Sequence, residues 1–204
     1  MDKLKPQSKI RLRFFVFADT CIMRLNLSEW FHTDECPAQW EIEFLHALYV
    51  HAQQWQHLGI SFDDMLMQRD DSLLTVAFDV SSKEYRKVLR MLRIDFYGTR
   101  ILLGDDETYQ LVTDLNPQNL NVISFEDING TPQAFADFAA QWLLREASRA
   151  IELHEWGNSR SYHRRWILAD TGQCVSMSDF HCKMRGELGP PDRVTIVHPP
   201  QNKR

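Results

Sequence analysis

The sequence predicts an α+β fold: a single domain with a mostly antiparallel sheet packed against two long amphipathic helices. Three observations lead there. Stretches of β-type alternation outnumber helical stretches, and strands and helices do not alternate as regular βαβ units. Two segments carry broad apolar faces at helical spacing. The chain has 204 residues, 44% hydrophobic and 25% charged, enough for a real core and typical of a globular protein. The expected domain covers residues 1–198, with 199–204, which begin Pro199-Pro200, as a frayed tail.

The elements follow in order. Ile10–Ala18 alternates apolar and basic residues and reads as a first strand, with Arg11 and Arg13 on the wet face. Pro37 suits the first turn of a helix running to Leu58. Trp40, Phe44, Leu48 and Trp55 form its apolar face, and Gly59 ends it. Leu73–Val80 reads as a strand. Ser82–Leu92 reads as a helix, with Tyr85, Val88, Leu89 and Leu92 on one side and Arg86, Lys87, Arg90 and Arg93 mostly opposite. Short strands are expected at Ile94–Tyr97, Arg100–Leu103, Tyr109–Leu115 and Asn121–Phe125, with turns at Gly98 and at Gly104-Asp105-Asp106. Thr131-Pro132 is a hydroxyl N-cap followed by proline, which starts a second helix reaching about Ala150. Glu152–Trp156 and His163–Asp170 form an antiparallel pair, Gly172 turns the chain, and Val194–Val197 is a last strand.

Net charge is −5, which argues against a globally basic nucleic-acid binder. The charge is unevenly placed. Residues 101–140 hold Asp105, Asp106, Glu107, Asp114, Glu126, Asp127 and Asp137 with no Lys, Arg or His, leaving the remaining residues at +2. Such a one-signed segment suggests a directional, partner-facing surface, with a merely solubilising face as the other reading. Two basic clusters stand apart from it: Arg86, Lys87, Arg90 and Arg93, and Arg160, His163, Arg164 and Arg165 interleaved with Tyr162 and Trp166. Strand alternation splits the second cluster, since Arg165 faces away from Arg164 and Trp166, so nucleic acid is not the expected partner.

Cys21, Cys36, Cys174 and Cys182 form no CxxC pair. The apolar run Phe14–Ala18 after the basic start is shorter than a signal peptide requires, and no stretch reaches the length of a membrane span. The expectation is a cytoplasmic protein with reduced thiols and no membrane partner.

Catalytic motifs fail one by one. Asp170-Thr171-Gly172 resembles the aspartic-protease tripeptide, but 32 residues after Gly172 are too few for a flap and closing strands, so it reads as a strand-ending turn. His46, His51 and His57 are spaced by five and six, not the four that places two imidazoles on one helix face. His154-Glu155 lacks the second histidine of a zincin. Cys174, His181 and Cys182, with His163, supply metal-ligand types without a recognised spacing. Phe125–Gly130 misses a calcium loop at its first and last ligands. No Gly-rich phosphate loop or GxSxG elbow is present. No cofactor is expected. Six tryptophans suit a core, and some suit an interface.

The run Trp142-Leu143-Leu144-Arg145-Glu146, then Ile151-Glu152-Leu153-His154-Glu155-Trp156, then Arg165-Trp166-Ile167-Leu168-Ala169-Asp170-Thr171-Gly172 resembles small bacterial immunity proteins paired with polymorphic or contact-dependent toxins. The resemblance implies a non-enzymatic inhibitor of a cognate toxin and carries no catalytic residue across. Nuclease toxins are usually basic, so the expected contacts are Asp105, Asp106, Glu107, Asp114, Glu126 and Asp127. The alternatives are a metal-dependent or histidine-based hydrolase and a nucleic-acid-binding adaptor.

Overall fold

The computed structural model describes residues 30–106, Leu111, 114–181 and 188–198. The expected strand at Ile10–Ala18, most of the one at Tyr109–Leu115, Cys21, Glu107, Cys182 and the tail lie outside the described residues.

The fold is α+β with two antiparallel sheets. The first has five strands in sequence order: β1 (Met65–Asp70), β2 (Leu73–Ser82), β3 (Lys87–Phe96), β4 (Arg100–Asp105) and β5 (Ile123–Glu126). The second has four, β6 (Ile151–Asn158), β7 (Ser161–Leu168), β8 (Cys174–Phe180) and β9 (Arg193–His198), in the order β8-β7-β6-β9. Helix α1 spans Gln39–Gln56 and α2 spans Pro132–Ala147.

Helix α1 starts after Pro37. Glu41 reaches back to accept the Ala38 backbone N–H at 3.3 Å, and Arg69 Nε of β1 donates to the same fully buried carboxylate at 3.2 Å. Gly59 closes the helix in the left-handed region, at φ 83°, and its N–H bonds to the Gln56 carbonyl. Helix α2 begins as its sequence suggests: Thr131 Oγ1 accepts the Ala134 N–H at 3.2 Å and Pro132 takes the first position.

The two helices pack on each other and on one face of the first sheet. The shared core is aromatic: Phe44 stacks on Phe96 at 4.1 Å, Phe96 meets Phe135 at 5.5 Å, and Trp55 meets Phe78 at 5.0 Å. Each such fully buried side chain contributes about 1.5–3 kcal/mol. Ile151, Leu153, Trp166 and Leu168 of the second sheet join the same hydrophobic cluster.

The segment expected as a helix at Ser82–Leu92 is instead the end of β2, a loop and the start of β3. Strand β3 lies in the middle of its sheet and is buried on both faces, so its sequence lacks the period of two that marks a half-wet strand. A bulge at Leu89 of β3, opposite Val80 and Ser81, adds to the apparent helical spacing, and Arg86 turns the chain at φ 48°. Gly104 is not a turn either. It sits within β4 opposite Arg93, where an added Cβ would lie 3.1 Å from Val122. Leu111, Asp114 and Leu115 lie in no strand. Two strands went unread in the sequence, β1 and β8. The β1–β2 connection is a two-residue turn with Asp71 at φ 38°.

Gly98 does turn the chain between β3 and β4, at φ 87°, with the Trp40 ring over it. Gly157, at φ 93°, leads into the β6–β7 turn, where a Cβ would fall 2.2 Å from the Ser161 carbonyl oxygen.

Candidate functional site

Alternation along β3 sends Arg90 and Arg93 to opposite faces of the first sheet, and two expected contact residues follow them inside. Asp105 ends β4 on the helix side and takes a two-pronged bond from Arg90, Nε to Oδ2 at 2.9 Å and Nη2 to Oδ1 at 2.8 Å. Arg90 also donates to the backbone and side chain of Glu146 at the end of α2. Asp106 lies on the far side, buried, and accepts from Arg93 Nη1 at 3.4 Å and from the Leu111 N–H at 2.9 Å. Asp106 therefore belongs to the interior, and Asp105 is only partly exposed. The basic cluster read as one helix face is likewise divided, with Arg90 and Arg93 buried.

A polar cleft of about 390 Å³ opens beside Arg90, lined also by Asp105, Trp142, Glu146, Arg149 and Cys174. Its charges satisfy one another. Burial acts to raise the Glu146 pKa, but hydrogen bonds from Arg149 and Arg90 outweigh it and hold the carboxyl below the usual range. Arg149 grips Asp170 with Nε and Nη2 at 2.9 and 2.8 Å, which lowers the Asp170 pKa. The Asp170-Thr171-Gly172 tripeptide is thus a turn after β7: Gly172 N–H bonds to the Leu168 carbonyl, and the carboxylate serves an arginine clamp.

Asp114, Glu126 and Asp127 are exposed, and they lie at the other end of β4. They gather around the β3–β4 turn. A shallow depression of about 360 Å³ is lined there by Tyr97, Thr99, Arg100, Glu126 and Ile128. Ile128 is 85% exposed. The Arg100 guanidinium sits 4.5 Å from the Tyr97 ring and 3.8 Å from Glu126. Burial pushes the Tyr97 pKa up, reinforced by the charges of Asp95 and Asp114. The Asp127 N–H bonds to the Thr99 carbonyl, and its Oδ1 accepts the Asn129 N–H. Sequence reasoning missed Ile128, although it directly follows Asp127, because its exposure is not legible locally, and it missed Tyr97, which only the β3–β4 turn brings beside the carboxylates.

Four of the described histidines are engaged locally. His51 bonds Asp137 between the helices at 2.9 Å, and His154 bonds Glu152 at 2.9 Å. Arg165 Nε donates to His163 Nε2 at 3.0 Å, so the ring proton sits on Nδ1 and is donated to Asp179. His198 is buried and donates from Nε2 to the Ala147 carbonyl at 2.7 Å. Burial lowers its pKa, with Arg90 adding to the effect. Among the described residues no three His, Cys, Asp or Glu side chains cluster so as to hold a metal ion. No described helix is long and apolar enough to cross a membrane.

No protein-family model, no curated protein and no solved structure matches the chain.

Proposed function

We propose that the chain is a non-enzymatic protein-binding protein of the immunity type, a cytoplasmic single domain that neutralises a basic toxin through an acidic rim. The rim is smaller than the sequence suggested and better defined: Asp114, Glu126 and Asp127 around the β3–β4 turn. The single observation that carries this reading is Ile128, 85% exposed next to Glu126 and Asp127. A large apolar side chain held in water among carboxylates has the form of an interface anchor with a charged surround. The carboxylates would speed and orient encounter with a basic surface, and Ile128 would supply the desolvated contact.

The test is co-expression with the product of the neighbouring gene, which the proposal expects to be a basic, growth-arresting polypeptide. The expected result is that this chain relieves the growth arrest that the polypeptide causes. The triple variant D114N/E126Q/D127N should relieve it poorly, while D63N, which removes an exposed acid elsewhere, should behave like the parent. Full relief by the triple variant would reject the rim as the binding surface.

A further inference from the structure

Lys87 begins β3 and Phe96 ends it, so the two ends of this strand lie about 30 Å apart. The acidic rim sits at the Phe96 end. The Lys87 end carries a different chemistry.

Alternation along β7 places Tyr162, Arg164 and Trp166 on one side of the second sheet, and the β7–β8 register sets Phe180 opposite Tyr162. The loop between β2 and β3 then brings Tyr85 edge-on to Trp166, with ring centres 5.6 Å apart, and Lys87 Nζ over the Trp166 ring at 5.5 Å. The Arg164 guanidinium lies 5.0 Å from the Tyr85 ring and 4.2 Å from the Tyr162 ring. Phe180 continues the row, its ring 5.8 Å from Tyr162 and tilted by only 22°. Tyr85, Arg164, Tyr162 and Phe180 thus form a row of planar groups, ending in a phenyl ring that is 47% exposed, with the His181 ring edge-on to it. Exposed cations flank the row: Lys83 and Arg86 on the β2–β3 loop, and Arg160 at the β6–β7 turn. Glu155 balances Arg164 at 2.9 Å and fixes its guanidinium in place, and Glu84 is the one acid on the loop itself.

The fold thereby joins parts of two basic clusters that stand far apart in the sequence. Arg165 leaves for the opposite face, as alternation requires, but Tyr85 and Lys87 come in, with the exposed Arg86 between them in the chain.

We propose that this row is a platform for single-stranded nucleic acid. A base stacks on Phe180 at the exposed end of the row, and backbone phosphates meet Arg86, Lys87 and Arg160. A single strand supplies both things the surface offers to match, planar faces and regularly placed negative charge. A duplex hides its base faces, and an acidic polymer such as polyglutamate has no ring to stack. The proposal is independent of the acidic rim, which occupies the other end of β3.

The experiment measures fluorescence anisotropy of a labelled oligothymidylate with the intact chain at low salt, with unlabelled competitors. The expected result is binding that weakens as salt rises. F180A should weaken it about tenfold, which is within the range of one lost stacking contact, and its thermal unfolding should stay at the parent temperature because the ring is half in water. The double variant R86E/K87E should weaken it at least as much, and a duplex of equal length should compete poorly. The proposal is overturned by unchanged affinity in F180A, by polyglutamate competing as well as unlabelled oligothymidylate, or by no binding at low salt.

Discussion

Arg93 and Asp95 stand two positions apart on β3, face the same side of the sheet, and are joined Nε to Oδ1 at 2.7 Å with both side chains removed from water. Thr75 Oγ1 donates to the same Asp95 oxygen at 2.8 Å, and the Leu115 N–H reaches its other oxygen at 3.4 Å. The small residues Ala77 and Gly104 flank Arg93 on the neighbouring strands and leave room for the guanidinium. Ion pairs this deep recover little beyond their desolvation cost. What this one fixes is position: Asp95 holds the backbone at Leu115 and Asp106 holds it at Leu111, two points on either side of Asp114.

Breaking this network should therefore be costly. Arg93→Met leaves Asp95 and Asp106 without that cation and should destabilise by about 4 kcal/mol. Asp106→Ala should cost about 3 kcal/mol, because it removes an ion partner and the acceptor of the Leu111 N–H. Urea unfolding measures both.

His198 sets an acid limit. Its pKa is lowered in the fold by burial, while in the unfolded chain it takes its ordinary value of about 6.5. The unfolded state then binds the extra proton first, so stability is lost as pH falls below about 6.5. Urea midpoints should drop between pH 7.5 and pH 5.5, and His198→Gln should flatten that part of the profile.

Asp79 acts with the opposite sign. Burial, aided by the charge of Asp64, pushes its pKa up to about 6, and its Oδ1 is buried without a hydrogen-bond partner. The folded state keeps a proton that the unfolded state has lost, so this carboxyl costs stability as pH rises from about 4 through about 6. Asp79→Asn should raise stability at pH 7.5 by about 1 kcal/mol, a figure kept small because the residue is partly in water. Near pH 4 the substitution should have little effect.

The thiols should react unequally. Burial and the charge of Glu41 push the Cys36 pKa up to about 11, whereas Cys174 is exposed. In a C21S/C182S background, a disulfide reagent at pH 8 should label one thiol quickly and the second only in denaturant. C174S should abolish the fast phase.

How much of this was legible depended on whether a segment meets water on one side. Helix α1, helix α2 and the β6–β7 hairpin show regular patterns because each has a wet side and its own boundary signals, such as the stop at Gly59 and the start at Thr131-Pro132. Strand β3 has no wet side, and its buried arginines mimic the polar face of a helix. The acidic segment was visible as charge. Its division was not, because the partners of Asp105 and Asp106 come from a strand read as a helix. Likewise, nothing local links Tyr85 to Tyr162; only the loop between β2 and β3 does.

The most direct test of the proposed function is the association rate of the basic partner at low and high salt, measured by stopped flow for the parent chain and for D114N/E126Q/D127N. The account predicts association about tenfold slower for the triple variant at low salt, with the two rates converging at high salt. Equal rates at low salt would contradict it.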